Sequence, residues 1–319
     1  MTQNLKDLKE GTFDVEALLT EKRVATAKNG KQYADLVFSD KTGSIKCKRW
    51  DYKEYDNLTV GGVYKLDLDI TTYQGELQGT VKQYLVSSRD SKDYVKGSRF
   101  EVPRMFESIQ VEAEFISEPL TKKVTLALLK KHEELIKRAP AAMKQHNAWI
   151  GGLTEHIWSM LQYATNLVNH YKENYNKSLS KDKVIFGIIA HDLGKIIEYT
   201  YDNAIGYAPR GVLTPHIVAG ACWVYEEANK AWPTMGLMAP DEFARERDHL
   251  VHIVASHHGK GEWGSPVVPS TLEAVLVHQI DMIDSKFMHA MELVEGKAGP
   301  TPGFSEKSWS EKTQYLQYN

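Results

Sequence analysis

Between Phe13 and Val86 apolar and polar positions alternate in short runs separated by turn signals. Ala34, Leu36 and Phe38 fall on one side of a strand, and Ile45 and Cys47 on one side of the next. Leu66, Leu68 and Ile70 alternate with Asp67 and Asp69. This two-residue period belongs to half-buried strands. Asn29-Gly30, Asp40-Lys41-Thr42-Gly43 and Gln74-Gly75 supply turns, and Leu77 to Val86 could close the sheet. Residues 87–118 are polar and mixed, with Pro103 and Pro119 as breakers, which predicts a linker. Beyond it the period changes. Leu153, Ile157, Met160, Leu161, Ala164, Leu167, Val168 and Tyr171 recur every three or four residues over 152–171, one face of a helix. Similar stretches cover 122–138, 183–190, 215–230, 240–256 and 271–292, with no comparable strand pattern among them. The pattern predicts a multidomain chain: a small all-β barrel over 1–90, a linker over 91–120 and an all-α helical bundle over 121–319.

About five short strands in roughly 80 residues fits a barrel of the OB type. Such barrels bind single-stranded nucleic acid through a basic groove and stacking aromatics. Lys46, Lys48 and Trp50 share the face opposite Ile45 and Cys47, with Lys31, Tyr33 and Tyr73 in the neighbouring hairpins, and form a candidate groove. The alternative is a solvated lysine face with a tryptophan packed at the barrel end. The chain has 319 residues, 42% hydrophobic and 25% charged, as in soluble globular proteins. Its apolar runs, such as 184–190, are too short to span a bilayer, and residues 1–7 carry no signal-peptide core. Two cysteines, Cys47 and Cys222, make neither a disulfide framework nor a Cys-based zinc site, so a cytoplasmic location is expected. A net charge of −3 excludes a uniformly basic nucleic-acid binder. The first 100 residues nevertheless hold 17 Lys and Arg against 15 Asp and Glu, while the remainder is acidic.

Histidine divides the chain more sharply. All twelve lie between His132 and His289. His156 falls on the apolar face of its helix. His191-Asp192 follows the apolar run 184–190, His257-His258 follows 250–255, Asp281 lies inside another apolar helix, and His216 begins one. One such histidine is ordinarily a satisfied core residue. A buried aspartate, however, is costly without a positive partner. Several helices each carrying His or Asp at a core-facing or terminal position point to a metal centre inside a bundle.

His191-Asp192-Leu193-Gly194-Lys195 resembles the signature of the HD phosphohydrolase superfamily. The blocks 151–156 with Ser159-Met160, 187–195, 256–266 and 280–286 resemble, more closely, the YhaM-type 3′-to-5′ exoribonucleases, which join an OB domain to an HD domain. The segments before His216, over 223–246 and after Gly296 depart from that pattern. The resemblance implies a two-metal hydrolase. His156, His191, Asp192 and Asp281 would hold one ion, and Asp192 would bridge to a second held by His216, His257 and His258. The implied ions are divalent transition metals, Mn²⁺ first, with Co²⁺, Ni²⁺ and Fe²⁺ as alternatives. Asp192 and Lys195 would be the catalytic pair, Lys195 serving a phosphate oxygen or else capping a helix end.

Lys260, Glu262 and Trp263 are candidates for the substrate entrance. Asp284 and Lys286 would be supporting groups or an internal ion pair, and His146 a substrate contact or a turn cap. His252 and His278 fit ordinary buried or supporting roles. The implied activity is 3′-to-5′ hydrolysis of single-stranded RNA, with single-stranded DNA as a second substrate, to nucleoside 5′-monophosphates. A homo-oligomer is expected, with the Trp and Met of 223–243 making a subunit contact or packing a loop. Two rival readings stand beside this one. A phosphohydrolase of cyclic nucleotides, cyclic oligonucleotides or dNTPs would use the same metal centre without the barrel. A non-catalytic nucleic-acid-binding protein would need fewer ligands.

Overall fold

The computed structural model describes residues 3–53, 56–143, 148–175, 177–201, 205–236, 238–296, 298–308 and 310–317. The chain divides into two compact units, Met1–Gly97 with Thr200–Gly206, and Ser98–Tyr199 with Tyr207–Asn319.

The first unit is built on β1 (Gly11–Thr26), β2 (Gln32–Ser39), β3 (Ser44–Arg49), β4 (Val63–Tyr73) and β5 (Glu76–Val86). They close a barrel in the order β1-β2-β3-β5-β4, an OB-like arrangement. β1 is long enough to pair with both β4 and β2, and a register shift between Leu19 and Glu21 bends it from one partner to the other. The alternation seen in the sequence is the inward set: Leu36, Phe38, Cys47, Leu66, Leu68 and Ile70 are all buried. β3 and β5 close the barrel in parallel. At their junction Gly79 leaves room that a Cβ would not, since it would lie 2.7 Å from the Cys47 sulfur. Burial pushes the Cys47 thiol up to about 12, so it acts as a small apolar core residue. The β4–β5 hairpin turns on Gln74 and Gly75, at φ of 52° and 84°, the left-handed pair that a two-residue turn requires.

The second unit contains α1 (Val102–Glu114), α2 (Pro119–Ile136), α3 (Gly152–Asn174), α4 (Lys181–Ala190) and α5 (Lys195–Glu198). After α5 the chain forms a short ribbon of β6 (Tyr199–Thr200) and β7 (Gly206–Tyr207), whose Thr200 and Gly206 are grouped with the first unit. Then come α6 (Pro209–Leu213), α7 (His216–Ala231), α8 (Pro240–Ser256) and α9 (Leu272–Glu295). The expected linker over 91–120 is corrected here. Most of its middle is α1, whose Met105, Phe106, Ile109 and Ala113 are buried. Pro103 and Pro119 do not break helices but stand in the first turns of α1 and α2, where a missing N–H costs nothing. The ribbon β6–β7 is likewise a strand pair that the helical pattern had not announced.

The hub is α4, buried from Lys183 through Ala190 and packed by α2, α3, α8 and α9. Gly187 permits the closest approach, since a Cβ there would lie 2.6 Å from methyls of both Ile253 and Val277. At the polar end of α4, Lys183 donates to Glu118 at 2.7 Å and lies 2.9 Å from Glu246, tying three helices together. The tryptophans of 223–243 pack within this unit: Trp223 stacks on His132 at 4.5 Å and Trp232 lies on Phe243 at 4.3 Å.

Candidate metal centre

The hub helix ends by delivering His191 and Asp192 into a buried space between helix ends. α3 adds His156, the start of α7 adds His216, the end of α8 adds His257 and His258, and α9 adds Asp281. Two glycines make this convergence possible. A Cβ on Gly194 would lie 2.1 Å from the His216 carbonyl oxygen. Gly259, at φ 79°, ends the α8 turn with its Cα against the His278 ring, where a Cβ would lie 2.4 Å from that ring.

The donors fall into two groups, His156 with His191 and Asp281, and His216 with His257 and His258, each with its ligand atoms within 4.8 Å of one another. Asp192 stands between them. Its Oδ2 is 3.3 Å from His191 Nε2 and 3.8 Å from His156 Nε2. Its Oδ1 is 3.5 Å from the Nε2 atoms of both His216 and His257. One carboxylate thus offers one oxygen to each group.

The five histidines are oriented alike. Nδ1 of His191 donates to the Ile188 carbonyl at 2.9 Å, and Nδ1 of His257 and of His258 to the Val254 and Trp263 carbonyls, each at 2.7 Å. Nδ1 of His156 meets Asp284 and Nδ1 of His216 meets Glu198, each at 2.7 Å. With every Nδ1 engaged outward, every Nε2 is left facing inward. Nε2 atoms of His156 and His191 stand 3.3 Å apart, as do those of His216 and His258. Two bare lone pairs at that distance repel, so each pair needs a proton or a metal ion between its nitrogens. The Asp192 Oδ1 and His257 Nε2 atoms are buried without a hydrogen-bond partner, a costly state that a bound cation relieves. This donor set of imidazoles and carboxylates fits divalent transition metals.

Electrostatics agree. Burial lowers the pKa of His216 and His257, and burial with His257 alongside takes His258 down to about 4, leaving neutral ligands. Burial opposes protonation of His156 too, but Asp281 and Asp284 outweigh it and hold its pKa up to about 10. These carboxylates demand positive charge beside His156, from a proton or a metal ion. Asp192 and Asp281 stay ionised despite burial, the first through Lys195 and His191, the second through His156 and His191.

Lys195 Nζ lies 2.6 Å from Asp192 Oδ2. A cleft of about 350 Å³ opens on Asp192, Lys195, His258, Asp281 and Trp263. Lys260 Nζ sits 4.7 Å from the centre of the Trp263 ring and 3.7 Å from Glu262. His278 donates from Nδ1 to the His257 carbonyl at 2.7 Å, and His252 Nε2 accepts from Ser270 N at 2.9 Å. His146 lies outside the described residues. Two contributors had no role assigned from the sequence. Glu198 accepts from both His216 Nδ1 and, at 3.1 Å, His216 N. Ser159 Oγ donates to Asp284 at 2.5 Å, fixing the carboxylate that in turn fixes His156.

In the barrel, Trp50 is half exposed rather than packed away. Its ring centre is 5.4 Å from that of Tyr33, and Lys48 Nζ lies 4.6 Å from the Tyr33 ring centre and 5.5 Å from that of Trp50. Lys48 also pairs with Asp35 at 2.6 Å, and Lys46 with Glu76 at 2.8 Å.

Among solved structures, the chain is similar to the second OB-fold domain of replication protein A from Methanococcus maripaludis, at 18% identity and TM-score 0.24, over 28% of this chain and 97% of that one. The HD domain family model matches residues 153–286. The 3′-5′ exoribonuclease YhaM of Listeria monocytogenes serotype 4b (strain CLIP80459) is 33% identical over 302 residues, 89% of each chain. That of Geobacillus sp. (strain WCH70) is 33% identical over 279 residues, 86% of this chain and 82% of that one. A shared ancestry over nearly the whole length, across both the barrel and the helical unit, means that the chain belongs to the 3′-5′ exoribonuclease YhaM family.

Proposed function

We propose that the chain removes nucleotides from the 3′ end of single-stranded RNA as nucleoside 5′-monophosphates, using two divalent transition-metal ions, Mn²⁺ first. Its family makes it a hydrolase of the 3′-5′ exoribonuclease class. The observation that carries the metal dependence is the Asp192 carboxylate, with one oxygen toward each of two donor groups and Oδ1 buried without a partner.

His156, His191, Asp281 and Asp192 Oδ2 would hold one ion; His216, His257, His258 and Asp192 Oδ1 would hold the other. Bound there, such a pair supplies an activated water at neutral pH and charge stabilisation for the phosphoryl oxygens. Asp284 and Glu198 keep the His156 and His216 rings turned for this task. Lys195 faces the cleft with its charge beside Asp192, ready for a phosphoryl oxygen. Lys46, Lys48 and Trp50 give the barrel a cationic, aromatic face of the kind that tracks a single strand. Single-stranded DNA is a second substrate in this reading, because the centre is built for phosphate and not for the 2′-OH. Unpaired Cys47 and Cys222 suit a reducing cytoplasm, and the exposed Ile283 and Phe287 of α9 suit a homo-oligomer.

The test incubates the chain and its Asp192→Ala variant with Mn²⁺ and a 5′-labelled single-stranded RNA. A ladder shortening from the 3′ end, absent in the variant, is expected. Intact RNA with Mn²⁺, Co²⁺, Ni²⁺ and Fe²⁺ alike would overturn the proposal.

A further inference from the structure

A second cavity, of about 420 Å³, runs along α9 and is lined by Trp263, Met282, Ser285, Lys286, His289 and Glu311 among others. It shares Trp263, Met282 and Ser285 with the cleft over Asp192 and Asp281, so the two adjoin. Asp281, Ser285 and His289 follow at four-residue spacing. They therefore lie along one side of α9 over about 12 Å, leading from a candidate metal ligand to the far end of the groove.

The outer wall is the segment after α9, which folds back onto it. The Gln317 side-chain amide donates to the Val294 and Gly296 carbonyls, each at 3.1 Å, and Ser308 Oγ meets His289 Nε2 at 3.1 Å. Within this wall Ser305 N donates to the Tyr315 carbonyl at 2.8 Å. Ser310 and Glu311 are the tail residues that line the groove, next to the contact between Ser308 and His289.

Its chemistry fits a nucleotide. Trp263 offers a 43% exposed indole, and bases stack on such faces without regard to sequence. Lys286 supplies a half-exposed ammonium whose partner is Glu311 at 3.6 Å. Serine and histidine side chains supply further polar contacts, and the volume falls in the range of small-molecule sites, about 300–1,000 Å³. An enzyme that trims a strand from one end must hold the remaining strand beside the reacting phosphate, in a channel that leads away from the centre.

We propose that the α9 groove binds the nucleotides on the 5′ side of the scissile phosphate, with Trp263 as the stacking platform and Lys286 as the phosphate contact. This rests on the exoribonuclease reading given above. It makes the segment after Gly296, through its wall position, a determinant of how short a substrate the enzyme can still process.

The test measures kcat/KM with Mn²⁺ on oligouridylates of two, three and four nucleotides. The wild-type chain is compared with a Trp263→Ala Lys286→Ala double variant. Both side chains are substantially exposed, and the folded fraction of each preparation is read from its thermal melt, because the dinucleotide already places one nucleotide in the groove. The wild type is expected to gain about tenfold or more from two to four nucleotides, the scale of one base stack, and the variant to lose most of that gain. A wild type without length dependence, or a variant that keeps it, overturns the groove while leaving the exonuclease reading intact. A wild type that hydrolyses no RNA of any length overturns the exonuclease reading and the groove with it.

Discussion

Replacing Glu198 by glutamine probes how the second donor group is held. The carboxylate is buried and accepts two hydrogen bonds from one residue, from His216 N at 3.1 Å and His216 Nδ1 at 2.7 Å. A glutamine of the same shape has one acceptor oxygen and one donor amide. If the oxygen faces Nδ1–H, the amide meets the backbone N–H donor to donor. If it faces the backbone, the imidazole must shift its proton to Nε2, and the nitrogen facing the His257 and His258 donors ceases to be a ligand. Either outcome weakens one of the two metal positions. Groups that orient a ligating histidine typically contribute 10–100-fold in metal affinity, equivalent to about 1.4–2.8 kcal/mol. The assay is calorimetric titration of metal-free protein with Mn²⁺, alongside thermal melting of the metal-free chain. We expect two bound ions in both proteins, with one site 10–100-fold weaker in Glu198→Gln and the other unchanged. Equal affinities at both sites would refute the orienting role. Parallel weakening of both sites, together with a fall in metal-free Tm, would show structural damage in its place.

Gly194→Ala should destabilise the chain by about 3 kcal/mol or more, because its Cβ would lie 2.1 Å from the His216 carbonyl oxygen and only backbone movement relieves such a clash; urea unfolding that matches wild type would contradict this. Lys183→Met should cost about 2–3 kcal/mol, less than a fully buried pair because Glu118 and Glu246 are each about a third exposed. Burial opposes the Lys183 charge, but those two carboxylates prevail and raise its pKa above 10.5. The stabilisation is therefore complete below pH 10.5 and fades as pH rises through the folded value, so the gap between wild type and variant in urea melts should be constant from pH 7 to 9 and narrow only above 10.5. Trp50→Ala, in an Asp192→Ala background that spares the RNA, should weaken single-stranded RNA binding by about 1–3 kcal/mol in fluorescence anisotropy; unchanged affinity would remove Trp50 from the binding face.

Periodicity and residue type alone located much of this protein. The alternation around Leu36, Cys47 and Leu68 is the inward face of the barrel because a strand can bury only every second side chain. The apolar runs ending in His191-Asp192 and His257-His258 marked the centre because such groups are expensive to bury without a partner. What escaped were properties of pairs distant in sequence. α1 was read as a linker because Pro103 looks the same whether it stops a helix or starts one, and only its packing on α3 decides. Glu198 carries no mark in the sequence that separates it from a surface glutamate; it becomes a support for His216 when Gly194 and Gly211 let two backbones close around it. The sharing of the Asp192 oxygens between two donor groups depends on how α3, α7 and α8 meet the end of α4. The α9 groove depends on a tail held against α9 by the side chains of Gln317 and Ser308. Local patterns report what each residue must avoid, which is exposure or unpaired burial; which partner it meets is settled by helix crossings and register, and these depend on the whole core packing at once.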